Sequence, residues 1–293
     1  MNQYLTAIGF GDIESKKELY EILTQVERNF THHELILQDE EMDFCEFQKE
    51  YADGIGISLF GDMDMASRFE KRYYFPYING KGITSYADVA IERRSDREAY
   101  IGICEDSKIA INLIFHVQNT LEYLKICQLS RHDRVQYMSV TLSALSNEGM
   151  ILFPVLKNKH QEKQQQEEVH NRMKLVNAAK SGDPVAIESL TLDDIDTYSK
   201  VSRRLITEDI FSIVDTSIMP YGIECDKYSI LGTILEFTTT KNILTEEELY
   251  IMDLEVNDLK FSLCVPKARV VGEPAKGRRF KGNIWLQGKI NFS

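Results

Sequence analysis

Arg269, Lys276, Arg278, Arg279, Lys281 and Lys289 crowd one stretch of the chain in which Glu273 is the sole acid, and Trp285, the only tryptophan, lies among them. Cations interleaved with an aromatic on a curved β surface can hold single-stranded nucleic acid or another anion, by phosphate contact and by stacking. The contact set is Arg278, Arg279, Lys281, Trp285, Gln287 and Lys289. The plainer reading, favoured for the residues themselves, is a solvent-facing strand whose Lys and Arg discourage edge-to-edge pairing, or a Trp285 packed under a neighbouring domain.

Other constellations are thinner. Gly272 and Gly277 have the separation of a phosphate loop, but Arg278-Arg279 replaces Lys-Ser/Thr and a strand follows where a helix N-terminus is needed. A turn ahead of a strand is expected there. Gly61-Asp62-Met63-Asp64 offers two carboxylates to a hard cation, without further ligands in register. His116 lies near Asn112 and Gln118, and His32-His33 and His132-Asp133 fall in polar stretches. A general base needs an orienting partner, which spacing alone does not supply. The aromatic run Tyr73-Tyr74-Phe75-Pro76-Tyr77 reads as core, with a ligand platform as the minority reading. No nucleophile elbow, HExxH or dinucleotide fingerprint appears, which favours a binding protein over an enzyme.

These residues need elements to place them. Ser15-Lys16-Lys17-Glu18 is a capping box, and Leu19, Ile22, Leu23, Val26 and Phe30 follow it at helical spacing. From Gly54 to Val155 the chain alternates as strands do, at Ile55/Ile57/Leu59, Tyr73/Phe75/Tyr77, Ile109 through Val117 and Val140/Leu142/Ala144. Residues 157–168 are rich in Lys, Gln, Glu and His and cannot bury a face. A helical block follows, with Asp183-Pro184 and Thr191 as expected caps and a further short helix from Thr207 to Val214. Tyr228–Thr239 is apolar on both faces, and Tyr250–Val256 turns at Asn257-Asp258 into Phe261–Val265 as a hairpin. The last strand, 279–292, alternates almost without error: Phe280, Gly282, Ile284, Leu286, Gly288, Ile290 and Phe292 share a face, with the basic residues and Trp285 opposite. Its glycines predict bending, as in a small barrel.

The chain has 293 residues, 43% hydrophobic and 27% charged, with net charge −12 and pI near 5.1. That is ample for a sizeable core, and the acidity makes the whole molecule a poor non-specific ligand for nucleic acid or anionic membrane. The five scattered cysteines include no C-x-x-C pair and imply free thiols in a cytoplasm. No apolar run reaches membrane-spanning length, and the N-terminus lacks a signal-peptide pattern.

Two resemblances follow. Asn177 to Leu190 resembles one ankyrin-type helix pair, but it occurs once and a solenoid needs several. Ala7-Ile8-Gly9-Phe10, Met219 through Asp226, Gly272-Glu273-Pro274, Gly277 through Gly282 and Trp285 through Gly288 resemble an uncharacterised family of clostridial Firmicutes proteins, a domain of unknown function. That resemblance implies no activity and no site residues.

The expectation is an α+β protein. Residues 1–156 form a helix-plus-antiparallel-sheet domain, 157–170 a linker or exposed helix start, and 171–293 a helical segment leading into a small, coiled β-barrel-like domain. The expected function is non-enzymatic binding of a protein or an anionic ligand through the basic strand face, with no cofactor, no metal and no membrane. An enzyme with an acid/His site between the domains is the alternative, as is single-stranded nucleic-acid binding, which is not favoured.

Overall fold

The computed structural model describes residues 3–13, 15–37, 42–94, 99–106, 111–129, 137–155, 171–204 except 172, 173, 177 and 180, and 213–292. A 3-10 turn, Gln3–Ile8, opens the chain and leads to helix α1 (Lys16–Arg28). The capping box forms as expected: the Glu18 amide donates to Ser15 Oγ and the Ser15 amide to the Glu18 carboxylate. Leu23 and Val26 seat the helix against the core. It stops at Arg28, one residue before Asn29, so Phe30 lies beyond it and packs on His33 and Phe47.

Two sheets follow. The first is an antiparallel meander of β1 (His32–Leu37), β2 (Met42–Ala52), β3 (Ile55–Asp64) and β4 (Phe69–Ile78). The second has eleven strands among the described residues. Its earlier members are β5 (Val89–Arg93), β6 (Tyr100–Cys104), β7 (Leu113–Val117), β8 (Tyr137–Leu145) and β9 (Gly149–Leu152), with helix α2 (Thr120–Leu129) between β7 and β8. Helix α3 (Pro184–Arg204) precedes β10 (Ser217–Pro220), β11 (Lys227–Lys241), β12 (Glu248–Val256), β13 (Leu259–Pro266), β14 (Val270–Val271) and β15 (Arg279–Phe292). The fold is therefore mixed α and β, dominated by sheet.

The division at residue 156 does not divide this sheet. Strand β8 pairs parallel to β13 and antiparallel to β15, and β15 also pairs with β7, so strands from both sides of 157–170 share one hydrogen-bonded layer. Alternation identifies strands but not their partners, which is why the sequence placed a boundary where none separates the sheet. Pairing runs β11-β12-β13-β8-β15 and returns from β15 to β11. The β12–β13 hairpin forms as expected, with φ of 48° at Asn257 and 63° at Asp258, the left-handed pair that a two-residue turn requires.

Helix α3 corrects a cap. Asp183 Oδ1 accepts from the Val185 amide as expected, but Thr191 lies inside a continuous helix, where its hydroxyl donates to the Ile187 carbonyl. The 157–168 segment, Thr207 and the His132-Asp133 pair lie outside the described residues.

Among the described residues there are two cores. Phe280, Ile284, Leu286 and Ile290, the apolar face of β15, pack with Leu142, Met252, Leu254 and Phe261. Gly288 shares that face because a Cβ there would stand 2.5 Å from the Phe115 ring. The second core lies between the sheets, where Phe47, Ile57, Phe60 and Phe75 of the meander meet Leu145, Leu249, Cys264 and Trp285.

Candidate ligand-binding site

That second core disposes of the open basic face. Trp285 is 7% exposed. Its indole N–H donates to Asp226 Oδ2 at 2.8 Å, and its ring stacks on Tyr4 with centroids 5.4 Å apart. Gln287 is fully buried, and its amide donates to the Pro76 carbonyl of β4. Gln118 donates to Gln287 Oε1 and to the Ile78 carbonyl, so the two glutamines hydrogen-bond the sheets together. Arg279 is buried too, with Nε donating to the Phe153 carbonyl and Nη1 to Val214, and burial lowers the guanidinium's proton affinity.

The remaining cations are dispersed. Arg278 donates to the Glu273 carbonyl and sits over Phe153. Lys281 is half-buried, and Lys289 is exposed beyond the buried stretch. The six residues expected to form one contact surface do not. A second sheet covers the face that alternation assigned to solvent, and Trp285, Gln287 and Arg279 find hydrogen-bond partners within the protein.

The smaller constellations resolve structurally. Asp62 is buried and ion-paired with Arg72. Asp64 accepts from the Ala66 and Arg68 amides and from Arg68 Nε, and so shapes the β3–β4 turn. His116 is buried between Phe75 and Trp285, at centroid distances of 4.3 and 5.0 Å. His32 pairs with Glu34. Residues 272–278 form the expected turn, with positive φ at Gly272 and Gly277, and lead into β15. Among the described residues no group of three or more His, Cys, Asp or Glu could hold a metal ion.

An open cleft lies elsewhere, where sequence reasoning did not look. The loop after the first 3-10 turn, helix α1 and the β11–β12 turn enclose about 650 Å³. That volume falls within the range of small-molecule sites. Its wall is built deliberately. Asn242, at the end of β11, is fully buried; its side chain donates to the Ile8 carbonyl and accepts from the Leu244 and Thr245 amides. Thr245 Oγ1 donates to the Gly9 carbonyl at 2.7 Å. Gly9 adopts φ +87°, and a Cβ there would stand 2.9 Å from Asn242 Cβ, so only glycine lets the loop and turn close on each other.

The polar lining is mostly acidic: Asp12, Glu18 and Glu21 on one side, Glu246 and Glu247 on the other, with Arg269 beside them. Phe10, Ile13 and Ile22 give it apolar ground. Burial raises the Glu247 carboxyl above its ordinary proton affinity and Asp12 adds to this, against a hydrogen bond from the Gly11 amide and the attraction of Arg269. Glu246 holds φ of 60°, an uncommon conformation for a glutamate. The signal in the sequence was Asn242-Ile243-Leu244-Thr245 running into three consecutive glutamates between two strands, an Asx-turn pattern that concentrates charge at a loop tip.

These features define a two-sheet α+β protein with an acid-lined cleft and no metal cluster among its described residues. The chain belongs to the family described as "Domain of unknown function, E. rectale Gene description (DUF3881)", whose model matches residues 5–288. No curated protein and no solved structure matched.

Proposed function

We propose that this is a cytoplasmic binding protein without catalytic activity of its own, and that the cleft beside Gly9–Ile13 takes an organic cation carrying a small apolar body. The observation that carries the reading is the lining: among the described residues, five carboxylates against one guanidinium, beside phenylalanine and isoleucine. A cation placed there gains from convergent charge, and its apolar part from burial. The returning circuit of β11, β12, β13, β8 and β15 is read as a small coiled barrel, with the cleft at the turn joining two of its strands. Mouths of such barrels are common ligand sites. The five unpaired cysteines support a reducing compartment, and no described helix is long and apolar enough to cross a membrane.

One observation favours the enzyme alternative. A carboxyl whose proton affinity burial raises in a cleft, as at Glu247, is how a general acid is prepared. Binding is preferred because among the described residues no histidine lines the cleft and His116 is packed among aromatic rings elsewhere. Nucleic acid is disfavoured by a wall of carboxylates, which repels phosphate.

Isothermal titration of the full chain with hexyltrimethylammonium tests the proposal. Saturable binding is expected, weakened several-fold by raising salt to about 0.5 M and roughly tenfold in Glu246→Gln/Glu247→Gln. Neutral 1-hexanol should bind far more weakly. Equal binding of hexanol, or binding untouched by the double substitution, would remove the cation reading.

A further inference from the structure

A second cavity, of about 310 Å³, sits at the seam of the two sheets under helix α2. It is separate from the acidic cleft and opposite to it in charge. Its lining includes Ile36 and Phe44 from the meander, Tyr100 from β6 and Leu124 and Cys127 from α2. Arg72 from β4 and Arg93 from β5 bring two guanidiniums to it, and among the described residues no carboxylate lines it. In a chain of net charge −12 that inversion is specific.

The walls are tied down. Asp62, buried behind Arg72, pairs with its guanidinium, which lies over the Phe44 ring at 6.0 Å. Helix α2 is fastened to β1 by the Lys125–Glu34 ion pair at 2.8 Å and by Gln128 donating to the Leu37 carbonyl. The arginines are therefore presented by strands, and the apolar side by a docked helix.

The geometry points to a binding site for a short amphiphilic anion: a carboxylate or phosphate monoester held by Arg72 and Arg93, with an apolar tail against Ile36, Phe44 and Leu124. Guanidinium is planar and forked, which matches either headgroup. At about 30 Å³ for each water-sized group, the cavity takes roughly ten non-hydrogen atoms, the size of octanoate. The assignment does not depend on the cation cleft, and each can fail alone.

Cys127 gives the test its readout. It is half-buried in the cavity wall, whereas Cys225 is exposed and Cys45, Cys104 and Cys264 are buried. Reduced full-length protein is treated with iodoacetamide, with or without octanoate, and alkylation of each cysteine is followed by peptide mass spectrometry. Octanoate near four times its dissociation constant should slow alkylation of Cys127 roughly fivefold and leave Cys225 unchanged. Arg93→Glu should abolish that protection; Arg93 is exposed, so the variant is expected to fold, and continued resistance of the buried Cys45, Cys104 and Cys264 to alkylation checks this. Hexyl phosphate forms a parallel arm: protection by one anion alone assigns the headgroup. Equal protection by 1-octanol, equal slowing of Cys225, no protection by either anion, or full protection in Arg93→Glu would each overturn the proposal.

Discussion

Glu46 should make this protein lose stability as pH rises through neutrality, and Glu46→Gln should remove the loss. The carboxyl sits on β2, opposite Glu34 of β1, and is 3% exposed. It accepts hydrogen bonds from the Ser58 hydroxyl and from Gln48 Nε2. Burial dominates these and pushes its pKa from the ordinary 4.5 up to about 7. The folded chain therefore keeps a proton that the unfolded chain releases between those values. Stability from this residue is fully present below about pH 4.5 and is lost progressively up to about pH 7. The interval corresponds to about 3 kcal/mol, an order-of-magnitude figure at about 1.36 kcal/mol for each tenfold change in proton affinity. Glutamine keeps an acceptor for Ser58 and Gln48 but has no charge to bury. Urea unfolding from about pH 5 to about pH 8, followed by fluorescence of the single Trp285, gives both stability profiles. The variant should gain on the wild type across that interval and not beyond it. Parallel profiles would refute the reasoning, because they would mean that Glu46 ionises in the folded state as readily as in the unfolded.

Asp226→Ala should cost about 3 kcal/mol in urea unfolding, since it strips a buried carboxylate from the Trp285 indole N–H and from Arg94; a loss below about 0.5 kcal/mol would mean the contact contributes little. Gly288→Ala should cost about 1–3 kcal/mol, because its Cβ would meet the Phe115 ring at 2.5 Å and Leu142 at 3.0 Å; an unchanged unfolding midpoint would show that the ring moves freely. Asn242→Ala should destabilise by about 2 kcal/mol, as the buried Ile8 carbonyl and the turn amides lose their partner. Calorimetry on the same variant should find hexyltrimethylammonium binding weakened as well; undiminished affinity would show that the turn does not form the cleft.

The α1 capping box, the Asp183 cap and the Asn257-Asp258 turn depend on residues within a few positions of each other, and all three formed as read. Thr191 was misread because a cap and a mid-helix threonine look alike locally; only the run of helix around it decides. The turn from Asn242 to Glu247 left a local signal, but the cleft itself was not legible, because Gly9 and that turn are far apart in the chain and meet only when the loop docks on the turn.

The sequence alone determined the alternation of β15, the glycines that let rings approach it, the acidic balance and the free thiols. Short-range sterics and composition set these, whatever the rest of the chain does. Tertiary structure alone decided where the other face of β15 went. Period-two alternation separates apolar from polar positions, but it cannot tell water from a second sheet that offers its own hydrogen-bond partners. Here the meander supplies them: Pro76 and Ile78 carbonyls for the glutamines, while Asp226 holds Trp285, and a face that reads as solvent-exposed becomes the seam between two layers.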